Sequence, residues 1–201
     1  MGASLASNRN QYAKYPPRKH RPRYKESRMR YTFESEQWLP YPVEQVFAFF
    51  ANPENLPKLM PPWQQTRIER CRLVPAPPSP QHELLSTPAA GAGTSMTLTF
   101  RPFPLSPFRI SWEAEISKFA WNDHFCDIQH SGPFAYWHHC HYVSAATREG
   151  TAGTIVRDHV VYAMPFGILG RIAQRIAGNA QFRSIFNYRH RRTAELLAAE
   201  H

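Results

Sequence analysis

From Thr66 to Met164 the chain carries six segments that alternate in side-chain character at a period of two, with no helical periodicity between them. They are Thr66–Val74, Thr94–Arg101, Phe108–Phe119, His124–His130, Tyr136–Ala145 and Thr154–Met164, and turn signals stand at Asn122-Asp123, Gly132-Pro133 and Glu149-Gly150. Strands joined by such short turns pair antiparallel, so the pattern predicts a meander. Pro75–Gly93, between the first two strands, carries five prolines and is too long for a hairpin loop. It is expected to be a flexible insertion or a lid.

The flanks of the meander are different. Arg30–Leu39 reads as one more strand, ended by Pro40. Pro42 then suits the first turn of a helix, with Val43, Val46, Phe47 and Phe50 at helical spacing. Asn52-Pro53 closes that helix and opens a second short one carrying Leu56, Leu59 and Met60, which Pro61-Pro62 breaks. From Gly167 to Glu200 the period is helical again, with Ile168, Ile172, Ile176, Phe182, Ile185, Phe186 and Leu197 on a broken apolar stripe that Gly178 interrupts. The other side, Arg171, Arg175, Arg183, Arg189, Arg191 and Arg192, reads as a solvated face. The fold class is therefore α+β, with about seven strands, two short helices after the first, and one long terminal helix.

A chain of 201 residues with 42% hydrophobic content can bury a substantial core. The net charge of +9 suggests nucleic acid until it is divided along the chain. Nine of the 24 basic residues lie in residues 1–30 with Glu26 as the only acid, and the remainder carries 15 basic and 14 acidic side chains. The basic character belongs to a Pro-containing arm, 1–28, too poor in aliphatic residues to offset its own ordering entropy. The rest, 29–201, reads as a single domain. The arm is a possible dock for nucleic acid, an anionic membrane or an acidic partner, with a solvated tail as its default. Cys71, Cys126 and Cys140 are odd in number and not closely spaced, which suits free thiols in a reducing compartment. Ala6 departs from the myristoylation pattern, and no apolar run suits a signal segment or a membrane span. The expectation is a cytoplasmic protein with no transmembrane segment and unknown oligomeric state.

The chemistry concentrates between Phe125 and Tyr142. Alternation places Phe125, Asp127 and Gln129 on one face of the first strand, and Trp137, His139 and His141 on the matching face of the second. Cys126 and Cys140 point the other way, as do the solvent positions His138, Arg157 and His159. If Ser131–Phe134 makes the turn, His139 stands opposite Asp127; a turn at Glu149-Gly150 sets His141 opposite Asp158. A buried polar face needs internal partners, and each histidine thus acquires a carboxylate.

Four uses of this cluster stay open. It can orient a ligand in an aromatic pocket lined by Trp112, Phe125, Asp127, Gln129, Trp137, His139, His141, Asp158 and Tyr162, which fits the pattern best. It can act as acid/base equipment, with His139, His141 and Asp127 as catalytic candidates. It can be a satisfied network that only holds strands in register. As a metal site it lacks a distinctive third-ligand spacing, so neither metal nor cofactor is expected. No phosphate loop, nucleophile elbow or Cys-x-x-Cys pair appears.

Three stretches carry a family resemblance: Gln37–Trp63, with Pro-Tyr-Pro-Val-Glu-Gln-Val-Phe-Ala-Phe-Phe-Ala-Asn-Pro; Phe125–His141; and Asp158–Gly170, with Pro165-Phe166-Gly167. Together they resemble the SRPBCC superfamily, which includes the START, birch-pollen-allergen and polyketide cyclase/dehydrase-like proteins, and within it the bacterial ligand-binding subgroup. The resemblance implies a helix-grip fold over residues 30–198, in which a curved antiparallel sheet wraps the terminal helix. It further implies a cavity for a hydrophobic or amphipathic small molecule. The alternative it implies is a cofactor-independent cyclase or dehydratase using a His-Asp pair.

Overall fold

Seven strands form one antiparallel sheet in the order β1-β7-β6-β5-β4-β3-β2. They are β1 (Tyr31–Leu39), β2 (Arg67–Arg72), β3 (Ser95–Phe100), β4 (Ile110–Ala120), β5 (His124–Ser131), β6 (Tyr136–Arg148) and β7 (Thr151–Ala163). The structure, a computed structural model, describes residues 29–79, 89–168, 170, 175 and 178–199. The basic arm 1–28, residues 80–88 of the long loop and part of the segment expected to begin the terminal helix lie outside the described residues. Among the described residues two α-helices have clear bounds, α1 (Val43–Ala51) and α2 (Asn179–Ala199).

The hairpins fix the geometry. β6 and β7 pair along their whole length around Glu149-Gly150, both with positive φ, at 52° and 78°. That is the backbone hand a two-residue hairpin turn needs, and glycine supplies it without steric cost. β4 breaks register with β5 at Glu113/Ala114 and at Ile116/Lys118. Such irregularities bend a strand and increase its twist, which favours a curved sheet.

The segment after β1 forms because proline punctuates it. Pro42 opens α1, whose Val46, Phe47, Phe49 and Ala51 are buried. The second short helix resolves into single 3-10 turns at Pro53–Asn55 and Pro57–Leu59, followed by another at Pro62–Gln64. Each begins with a proline, whose fixed φ starts a turn; the first two stop before the next proline, which lacks the N–H that a longer helix needs, and the third stops at Gln65, which has a φ of 47°.

Two apolar clusters make the core. One packs Phe47, Leu39, Leu59, Ile116, Val156 and Leu197 around α1. The other packs Phe33, Trp137, Val160, Tyr162 and Phe186 between β1, β6, β7 and α2. α2 is tied to the edge strand through Gln37 Nε2, which donates to the His190 carbonyl at 2.7 Å, and through Ser35 Oγ, 3.1 Å from His190 Nε2. The ends of the long loop are pinned: the Ala76 amide donates to the Ala89 carbonyl, that of Ala90 to Ala51 and that of Gly91 to Val74. Ala76, Ala89 and Ala90 are core residues.

One expectation is overturned. Cys126 and Cys140 stand directly opposite each other in β5 and β6 and are joined as a disulfide, leaving Cys71 as the free cysteine among the described residues. Their Cα atoms are 4.0 Å apart, and both side chains point to the sheet's outer face. The expectation of three free thiols is therefore corrected to one disulfide and one free cysteine among the described residues. No described helix is long and apolar enough to cross a membrane.

Candidate functional site

The inner face of the sheet, α1 with the 3-10 turns, and α2 border a partly open cavity of about 710 Å³. Its walls are mostly apolar, from Phe50, Leu59, Met96, Leu98, Ile110 and Phe182. Asp127, His139, His141 and Arg189, from β5, β6 and α2, are among its polar members.

Both counted registers hold. Asp127 pairs with His139 across β5 and β6, and His141 with Asp158 across β6 and β7. The side chains, however, share partners differently from one carboxylate per histidine. Asp158 Oδ1 receives both imidazoles, lying 2.9 Å from His139 Nε2 and 2.7 Å from His141 Nδ1. The first contact is a hydrogen bond; the second is close but off the line that one requires. Asp127 turns elsewhere, accepting from the Trp137 indole N–H at 2.7 Å through Oδ2, while its Oδ1 lies 3.5 Å from His139 Nδ1.

Packing holds these groups still. The His141 ring lies between Phe125, with centroids 4.4 Å apart, and Phe50, at 5.8 Å. His139 meets Phe186 edge-on at 5.9 Å, and its ring centroid is 4.1 Å from that of His141. Burial lowers the pKa of both histidines below the ordinary value, His139 further through His141, so each presents a neutral imidazole. For Asp158 burial acts to raise the pKa, but the adjacent His141, the His139 hydrogen bond and Arg189 outweigh it and hold the carboxyl well below the usual range. Asp127 moves the other way, pushed up by burial despite His139 and the Trp137 N–H.

Of the nine residues expected to line a pocket, Trp112, Phe125, Asp127, Trp137, His139 and His141 border the cavity. Asp158 is buried behind the two histidines and orients them. Gln129 holds the turn, its Nε2 donating to the Phe134 carbonyl at 2.6 Å and its Oε1 accepting from the Phe134 amide. A Cβ on Gly132 would come 2.5 Å from that Oε1, so a larger residue there displaces the Gln129 side chain. Tyr162 is fully buried in the aromatic cluster, 4.7 Å from Phe182 and 5.7 Å from Phe134.

Sequence reasoning missed Arg189. Read as part of a solvated arginine face, it is 8% exposed, borders the cavity and lies over the Phe186 ring at 5.0 Å. The signal was its spacing, three residues after Phe186 and seven after Phe182, which puts it on the apolar stripe. Two further polar groups of cavity residues, Trp112 Nε1 and Thr66 Oγ1, are buried without a hydrogen-bond partner among the described residues.

The chain matches the family described as polyketide cyclase / dehydrase and lipid transport over residues 39–184. Comparison with curated proteins finds no match. Among solved structures, Ara h 8.0201 superposes with a TM-score of 0.51 at 13% identity, covering 85% of this chain and 99% of its own. TTHA0849 from Thermus thermophilus gives 0.53 at 16% identity, with 85% and 99% coverage. Norcoclaurine synthase from Thalictrum flavum, in complex with dopamine and hydroxybenzaldehyde, gives 0.56 at 12% identity, with 87% and 90% coverage. At these identities the structures share a fold, the helix-grip arrangement of sheet and terminal helix. With the family match spanning more than half of its length, the chain belongs to the polyketide cyclase / dehydrase and lipid transport family of the SRPBCC superfamily.

Proposed function

We propose that the protein binds a hydrophobic or amphipathic small molecule, apolar along most of its length and polar at one end. The carrying observation is the cavity of about 710 Å³, apolar-walled with Asp127, His139, His141 and Arg189 gathered at one part of its lining. Ligand pockets have this size and this mixture of apolar surface with a few convergent polar groups. The buried, unpartnered Trp112 indole and Thr66 hydroxyl support a ligand with acceptor atoms, since buried donors otherwise find partners inside the protein.

A thermal-shift panel of fatty acids, quinones, polyketides and aromatic metabolites tests the reading. Stabilisation by a compound of this class, lost when Leu98 in the wall is replaced by Trp, supports it. No stabilisation by any of them sinks it.

A second reading, acid/base catalysis of a cyclisation or dehydration, draws on the neutral His139 imidazole flanked by Asp127 and Asp158. His139→Ala and Asp127→Ala then abolish turnover of a bound substrate while leaving the fold intact. Normal turnover in both variants removes it.

A further inference from the structure

We propose that Asp127, His139 and His141 form a two-histidine, one-carboxylate site for a divalent first-row transition cation, open toward the cavity. The spacing of His139 and His141 on β6 suggests no third ligand. The third comes from β5: each of the three residues places a ligand atom within 4.8 Å of those of the other two.

The hydrogen bonds favour a cation over a self-satisfied network. With its proton on Nε2, His139 donates to Asp158 Oδ1, which leaves Nδ1 bare. That lone pair faces Asp127 Oδ1, an acceptor, at 3.5 Å. A positive centre between them satisfies both, and 3.5 Å is too long for a proton to bridge the two atoms in a good hydrogen bond. Donors about 2.1 Å from one ion and tetrahedrally arranged lie roughly 3.4 Å apart, so this gap has the size a metal would span. Asp127 is held in place because its other oxygen takes the Trp137 N–H.

Asp158 completes the arrangement from behind. Metal-binding histidines commonly give their remaining N–H to a carboxylate, which fixes ring orientation. Asp158 meets one nitrogen of each ring, Nε2 of His139 and Nδ1 of His141, and so leaves His139 Nδ1 and His141 Nε2 for an ion. With neutral imidazoles, Asp127, Asp158 and Arg189 sum to one negative charge; a divalent cation reverses it to one positive. An anionic oxygen donor on the organic ligand then restores neutrality. Two histidines and a carboxylate with open positions suit ferrous iron, and also manganese, cobalt and zinc. The inference shares residues with the small-molecule reading but does not need the organic ligand to be known.

The test uses the metal alone. Chelator-treated protein is titrated with Fe²⁺ (without oxygen), Mn²⁺, Co²⁺ and Zn²⁺ by calorimetry, and Co²⁺ absorption reports coordination. One equivalent is expected. Asp158→Asn should weaken binding about 10–100-fold, and Asp127→Asn and His141→Gln by more, each variant being checked for native circular dichroism. Asp127 lies partly exposed at the cavity, so its variant keeps the test alive if a histidine variant fails to fold. Ferrous protein treated with nitric oxide should give the electron-spin signal of an iron–nitrosyl adduct, which an ion without an open position does not. Cys126, His138 and Cys140 also lie close together on the outer face, so Cys126→Ser/Cys140→Ser is the control and should bind as the parent does. The inference is overturned if none of the four ions binds, if binding survives in both Asp127→Asn and His141→Gln, or if the cysteine variant loses it. None of these outcomes touches the thermal-shift result with organic compounds.

Discussion

On the inner face of the β5–β6 hairpin Asp127 stands opposite His139; one residue away, on the outer face, Cys126 stands opposite Cys140. The inner pair belongs to a network of neutral imidazoles and carboxylates that can take up a proton, an ion or a ligand. The outer pair is a covalent bond with no such freedom. Because side chains alternate, a register slip of one residue would turn the histidines outward and the cysteines inward. The disulfide joins the two strands in the register that their backbone pairing already sets.

Breaking the inner side should cost most. Asp158→Ala leaves two buried imidazoles without their shared acceptor and is expected to lower stability by about 3–5 kcal/mol in urea unfolding. A loss below about 1 kcal/mol, read with the same urea slope, would show that the inner network contributes little. Breaking the outer side should cost less. Cys126→Ser/Cys140→Ser opens a loop with a sequence separation of 14 and is expected to cost about 2–3 kcal/mol, with compound binding retained. If binding disappeared along with the disulfide, the two faces would not be separable in this way.

The third comparison is pH. In chelator-treated protein His139 and His141 have folded-state pKa values below the unfolded value of about 6.5. On acidification the unfolded chain therefore takes up their protons first, and stability falls as pH drops through about 6.5 toward the folded values. Asp158, with its lowered pKa, extends the fall further into the acid range, whereas Asp127, raised by burial, opposes it. Urea midpoints measured between neutral and mildly acid pH should decline, and less steeply in His139→Gln/His141→Gln. An equal slope in that variant would assign the titration to other groups. The smallest effect belongs to the outer rim. Arg157→Ala removes an exposed ion pair with Glu36 and should change stability by no more than about 1 kcal/mol.

Much of this was legible in the sequence for a plain reason. Short turns fix pairing by counting, so Asp127 opposite His139 and Asp158 opposite His141 followed once the turns were placed. The same count puts Cys126 opposite Cys140, yet three cysteines viewed as an odd total concealed the pair. Strand existence was clear from alternation, whereas the proline-rich stretch after α1 looked helical because 3-10 turns share its apolar spacing. What stayed hidden depends on side-chain direction in three dimensions. Arg189 looked like its solvated neighbours until helix packing turned it into the cavity, and Gln129 and Tyr162 share the expected face but hold a turn and the aromatic core.

The central claim is that the inner face of this hairpin borders a cavity that takes a hydrophobic molecule, and a fluorescence titration with an environment-sensitive apolar dye tests it most directly. Leu98 lines the cavity from β3 and is 6% exposed, so Leu98→Trp fills space while leaving every residue of the polar cluster in the sequence. The account predicts one saturable site in the parent, from which a matching fatty acid or aromatic compound displaces the dye. In Leu98→Trp dye binding should be at least about tenfold weaker, a change of about 1.4 kcal/mol. Equal dye binding by both proteins, or none by the parent, would contradict it.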